Sequence, residues 1–142
     1  MRLPRFLTPS TVASAHCDLP CGVYDPAQAR IEAQSVRAMQ EKYQANEDPV
    51  FRTRAIVIIG QQADLVKHHL AVLWHDYFKA EHFSKYPQLH TLFNDTIKKA
   101  SGTGAKQSVD PASGQALLDG IDEIAAIFWE TKGKEYVKPQ SA

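Results

Sequence analysis

From Ile56 to Tyr77 the side chains Ile56, Ile59, Ala63, Val66, Leu70, Leu73 and Tyr77 recur three and four apart without a slip. An apolar stripe of that period predicts one long amphipathic helix, begun by Asp48-Pro49. Run from residue 50 to 81, it would be about 48 Å long at roughly 1.5 Å per residue. A helix of that length cannot bury its stripe alone. The rest of the chain must supply other helices to lie against it.

Three more segments answer that need. Asp25-Pro26 opens a first helix, in which Ile31, Ser35, Met39 and Tyr43 fall at four-residue spacing and "ANED" ends the run. A turn at "KYPQ" leads to a third helix with Leu89, Leu92, Phe93 and Ile97. Asp110-Pro111 opens the last, stepping through Leu117, Ile121, Ile124 and Phe128. Aspartate followed by proline suits a helix start, because the carboxylate accepts free N–H groups and proline lacks one. The apolar "AIVII" at residues 55 to 59 sits inside the long stripe and reads as helix, not strand. The fold class is therefore all-α, an antiparallel four-helix bundle. "SGTGAKQSVDP" is a loop, and the end, from about residue 133, reads as a frayed tail.

A chain of 142 residues makes one domain of this kind. Sixteen basic residues balance sixteen acidic ones, without a block of like charge. That argues against a nucleic-acid or membrane-surface partner. No apolar run approaches the roughly 20 residues of a membrane span. Two cysteines are too few for a disulfide scaffold, so a cytoplasmic location is the expectation.

Both cysteines lie in "HCDLPCGVYDP", residues 16 to 26. Cys17 and Cys21 are open to three readings: a small disulfide, a redox pair, or two arms of a metal claw. The fifteen residues before them, "MRLPRFLTPSTVASA", carry two arginines and no acid, and lack the apolar core of a secretory signal. Ala13-Ser14-Ala15 has the small-x-small form of a cleavage site, so residues 1–15 read as a pro-segment cut after Ala15. His16 would then present a free α-amine beside its imidazole. With the Cys17 thiolate and backbone nitrogen and the Cys21 thiolate, this makes a nearly planar N2S2 set. Such a set suits nickel(II) or copper(II), whereas zinc prefers a tetrahedron. A non-enzymatic carrier of nickel or copper could use the same claw.

The stretch "HCDLPCGVYDPAQARIEA" is similar, almost word for word, to the amino-terminal hook of the nickel superoxide dismutases. "KHHLAVLWHDYFK", "KYPQLH" and "FWETK" resemble the same family downstream. The resemblance implies superoxide disproportionation to oxygen and hydrogen peroxide at one nickel ion per subunit. It also implies a homohexamer of four-helix protomers and a processing peptidase that removes the pro-segment. By position, His16, Cys17 and Cys21 would be the metal ligands, with Pro20 and Gly22 shaping the turn. Asp18 and Tyr24 would line the approach, Tyr24 as its gate, and Glu32 would accept a hydrogen bond from the axial imidazole. Where better-known members carry an arginine in that network, this chain has Gln62, which cannot pair ionically with Glu32.

Other tempting residues read more plainly. His68, His75 and His82 recur every seven positions, roughly 10 Å apart along a helix, too far for one ion. His69 and His90 read as ordinary helix residues, and Trp74 and Trp129 as bundle core. Tyr77, on the inward stripe, is a candidate to back the hook near Tyr24.

Overall fold

The computed structural model describes residues 21–102 and 104–139. Among them there are five α-helices and no strand: α1 (Ala27–Ala45), α2 (Pro49–Val72), α3 (Ala80–Lys85), α4 (Leu89–Lys99) and α5 (Pro111–Thr131). The short α3 bridges α2 to α4. The four long helices pack in a ring, α1 on α2, α2 on α4, α4 on α5 and α5 on α1. That ring is the expected four-helix bundle.

The aspartates act as the sequence suggests. Asp48 accepts from the amides of Val50 (3.1 Å) and Phe51 (3.2 Å), and Asp110 accepts from Ala112 (2.9 Å). Asp25 accepts from Ala27 (2.8 Å), fixing where α1 begins. Each satisfies donors that the first helical turn leaves without a partner. On α5 the predicted stripe is the core: Leu117, Ile121, Ile124 and Phe128 are all fully buried.

Three expectations are corrected, the first being which faces of α1 and α2 are buried. On α1 the buried face is Ala29, Ala33, Val36 and Gln40, while Ile31 is 58% exposed. On α2 Ala55 is buried in place of Ile56, which is 49% exposed. Small side chains line these faces because they let helices approach closely. At Gly114 of α5 the approach is closest: an added Cβ would lie 2.8 Å from the Arg37 Cα and 2.5 Å from the Gln40 Oε1.

The long helix also ends early. Leu73–Tyr77 is a π-helical turn, closed by a bond from the Phe78 amide to the Leu73 carbonyl (3.0 Å), and the chain is extended at Phe78. The wider turn rotates Tyr77 off the regular register and lets Phe78 enter the core, 5.4 Å from Phe93 and 6.5 Å from Phe128 between ring centroids.

The tail, the third correction, leaves the helix at Lys132 but is docked as far as Pro139. Arg30 and Asp122 form an ion pair of 2.8 Å between α1 and α5, with both side chains at most one-tenth exposed. The Tyr136 hydroxyl donates to Asp122 Oδ1 (2.6 Å), Lys138 Nζ lies 2.8 Å from Asp122 Oδ2, and Arg30 Nη2 donates to the Pro139 carbonyl (3.2 Å).

Burial alone would raise the Asp122 carboxyl, but hydrogen bonds from Lys138, Tyr136 and Arg30 outweigh it and hold it below its ordinary 3.8. Burial and the adjacent carboxylate push Tyr136 from 10.0 up to about 12. A lowered carboxyl stabilises the fold above its ordinary value, and that gain fades as pH falls through the lowered one. A raised phenol stabilises below its ordinary value, and its gain fades as pH climbs toward the raised one. The stability difference between wild type and Tyr136→Phe is therefore expected to be full near neutrality and to shrink on acidification below about pH 4. Thermal melts across pH measure it; a difference unchanged at pH 2 would contradict the pairing.

Candidate metal centre

Of the expected ligands, Cys21 lies within the described residues; His16 and Cys17 lie outside them, as do Ala15, Asp18 and Pro20. Cys21 is exposed, and its thiol sits 3.9 Å from the Val23 carbonyl, a contact across one residue that marks a tight turn. Gly22 makes that turn with φ +73°, in the left-handed region that side chains disfavour. The loop then runs outward through Val23 to Tyr24, where the chain meets the bundle.

Tyr24 is half-buried, and its ring lies 5.6 Å from that of Tyr77, tilted by 57°. Tyr77 is held on every side. Its ring is 4.5 Å from Phe128 and stacks in parallel with His82 at 5.7 Å. The Lys132 ammonium stands 5.4 Å above it. The Tyr77 hydroxyl lies 2.6 Å from Thr131 Oγ1, while Thr131 donates its own proton to the Phe128 carbonyl (2.6 Å). With that proton committed, Tyr77 is the donor to Thr131. Aromatic contacts of this kind contribute about 0.5–1.5 kcal/mol each beyond their area. Together they make a rigid backing for the ring that follows the cysteine loop.

His82 takes its place through the backbone. The Lys79 amide donates to its Nδ1 (3.0 Å), which puts the proton of the neutral ring on Nε2. His68 and His75 are exposed, and the break at Phe78 separates them from His82, so the seven-residue series is not one stripe. His90 accepts from the Trp74 indole (3.0 Å) and stacks on Phe83 at 3.8 Å. Trp74 and Trp129 are half-buried at the edge of the core, not within it. Glu32 on α1 and Gln62 on α2 are both half-buried, on two helices packed against each other.

Among the described residues no three histidine, cysteine, aspartate or glutamate side chains converge to hold a metal. His16 and Cys17, the other two ligands expected from the sequence, lie just before Cys21 and outside the described residues. An exposed thiol on a glycine turn fits one arm of such a claw. Sequence reasoning missed Thr131, Lys132 and His82 as supports of Tyr77. The "ETK" stretch carries no local sign of that role because its ring is distant in sequence, and His82, five residues from Tyr77, reaches it only because the chain turns at Phe78.

The family model described as nickel-containing superoxide dismutase matches residues 11–132. A superoxide dismutase [Ni] of Streptomyces coelicolor is 63% identical over 130 residues, covering 92% of this chain and 98% of that protein. One from Streptomyces seoulensis is 62% identical over the same length and shares. The solved native structure of a nickel superoxide dismutase matches with a TM-score of 0.80 and 65% identity, covering 83% of this chain and 99% of its own.

Proposed function

Because the chain belongs to the nickel-containing superoxide dismutase family, we propose that residues 16–24 are the hook on which its reaction runs. The chain is a nickel-dependent oxidoreductase that disproportionates superoxide to oxygen and hydrogen peroxide. When bound, nickel would supply a Ni(II)/Ni(III) couple able to take one electron from one superoxide and return one to a second, with two protons taken up to give hydrogen peroxide. A carrier of nickel or copper is not favoured by these relatives.

In this reading one ion per subunit is held by His16, Cys17 and Cys21. His16 would give its α-amine and its imidazole, Cys17 a thiolate and its backbone nitrogen, and Cys21 the second thiolate. Pro20 and Gly22 would shape the turn between the two cysteines. Glu32 accepts the imidazole N–H and so fixes the ring's orientation. Asp18 and Tyr24 line the approach. We assign Tyr24 to ordering water, substrate or peroxide there, with Tyr77, whose hydroxyl is engaged by Thr131, backing its ring. The observation that carries this reading is the extent of the family match, which contains His16, Cys17 and Cys21 together with Tyr24 and its backing residues Tyr77 and Thr131.

Maturation follows from the same chemistry, since only cleavage after Ala15 by a processing peptidase gives His16 its amine. Removing residues 1–15 takes away two basic groups and no acid, moving the formal charge from 0 to −2. Self-association, for which the family resemblance implies a homohexamer, is supported by exposed apolar side chains on α2, where Val50, Ile56, Val57 and Leu65 are 40–66% exposed. Among the described residues no helix is long and apolar enough to cross a membrane. A reducing cytoplasm would keep both thiols available to the metal.

Chain made to begin at His16 and supplied with nickel is expected to show a rhombic Ni(III) paramagnetic signal at rest and peroxide-resistant dismutase activity. Tight nickel binding with neither signal nor activity would favour the carrier and overturn this reading.

A further inference from the structure

The segment after Lys132 lies beyond the family match, yet it is docked against the helix that the hook runs into. We infer that Tyr136 and Lys138 are positioning residues for the metal hook, clamping the first turn of α1 onto α5 through Arg30 and Asp122. The inference rests on reading residues 16–24 as that hook.

Arg30 lies five residues after Asp25, the aspartate that starts α1, and nine after Cys21. Its guanidinium is shared between Asp122 on α5 (2.8 Å) and the Pro139 carbonyl on the tail (3.2 Å). Asp122 is the hub. It receives Arg30 and Tyr136 at Oδ1 and Lys138 at Oδ2. One buried carboxylate thus joins α1, α5 and the tail, and removing Tyr136 or Lys138 takes from it a donor that ties the tail to the α1–α5 pair. The tail also passes beside the helix start, leaving between them an open pocket of about 360 Å³ lined by Asp25, Pro26, Trp129, Tyr136 and Val137. Pro26 is buried there. A metal loop has only its carboxyl-terminal end tied to the bundle, since its other end is the free amine. The rigidity of Asp25 to Arg30 therefore sets how firmly the donors are held together for the ion.

The test combines Tyr136→Phe with Lys138→Ala and reads the apo protein first. In the full chain, amide exchange at Arg30 and Ile31 is expected to quicken about tenfold or more, while the core amides of Ile121 and Ile124 keep their rates. In chain beginning at His16 and loaded with nickel, release to a chelator should quicken severalfold. Restoring the cation with Lys138→Arg in the wild-type background should leave both rates near normal. Unchanged exchange at α1, or an equal rise at every amide including Ile121, would overturn the inference by making the tail inert or merely stabilising. Faster exchange without faster nickel release would overturn its link to the metal. Failure of the intact chain from His16 to take up nickel would instead overturn the hook reading, and this inference with it.

Discussion

Replacing Cys21 by serine, or Cys17 by serine, is expected to lower dismutase activity by about a hundredfold or more, a loss of about 3 kcal/mol or more in barrier terms. The reason is electronic. Thiolate donation favours the higher oxidation state, and a serine hydroxyl is both a harder ligand and a much weaker acid. With either thiolate gone, the nickel couple moves out of the range in which superoxide both reduces and reoxidises it. The bundle should be untouched, because Cys21 is exposed and belongs to no buried helix face. Circular dichroism and a melt run beside the activity assay separate the two effects. A Cys21→Ser protein that turns over near normally would end the two-thiolate mechanism. One that loses its helices would point to a structural disulfide.

That contrast tracks what a sequence can show. The donors proposed for the hook lie within six residues, from His16 to Cys21, so their chemistry is legible without knowing the fold. The stripes of α5 and of α2 beyond Ile59 were equally legible, because large aliphatic side chains mark an inward face wherever neighbours are far enough away to need filling. The method fails where helices come close. Between α1 and α2 the inward positions are Ala29, Ala33 and Ala55, and the bulkier Ile31 and Ile56 are turned outward. A periodicity count weighted by hydrophobicity chooses the isoleucines and rotates the face. The end of α2 was hidden for another reason. Nothing in "LWHDYFK" is a glycine or proline, and the π-turn comes from tertiary packing of Phe78 against Phe93 and Phe128. Tyr77 behind Tyr24 was legible from the inward stripe, but its anchor at Thr131 and the docking of the tail were not, because those partners are remote in sequence: Tyr77 with Thr131, and Arg30 with Asp122 and Pro139.

The uncleaved chain is expected to fold as the same bundle and to be at least about a hundredfold less active than chain beginning at His16. With residues 1–15 attached, the His16 nitrogen is an amide, whose lone pair is delocalised into the carbonyl, and the planar set loses its one neutral amine. The sharpest form of the test leaves a single extra alanine before His16. The new amine then sits one residue further on, about 3.8 Å away along the chain. A metal–nitrogen bond is only about 2 Å, so the displaced amine cannot close the same small chelate ring. The thiolates and imidazole remain, so some nickel should still bind, in a different geometry and with a different visible and paramagnetic spectrum. Residues 27 to 131 are identical in the two proteins, so their melts should coincide and any difference belongs to the hook. Ala15→Pro, by blocking cleavage, should trap the inactive form in cells that mature the wild type. Normal activity with the unaltered nickel spectrum in the alanine-extended protein would show that the amine is not a ligand, and the purpose assigned to removal of the first fifteen residues would fall with it.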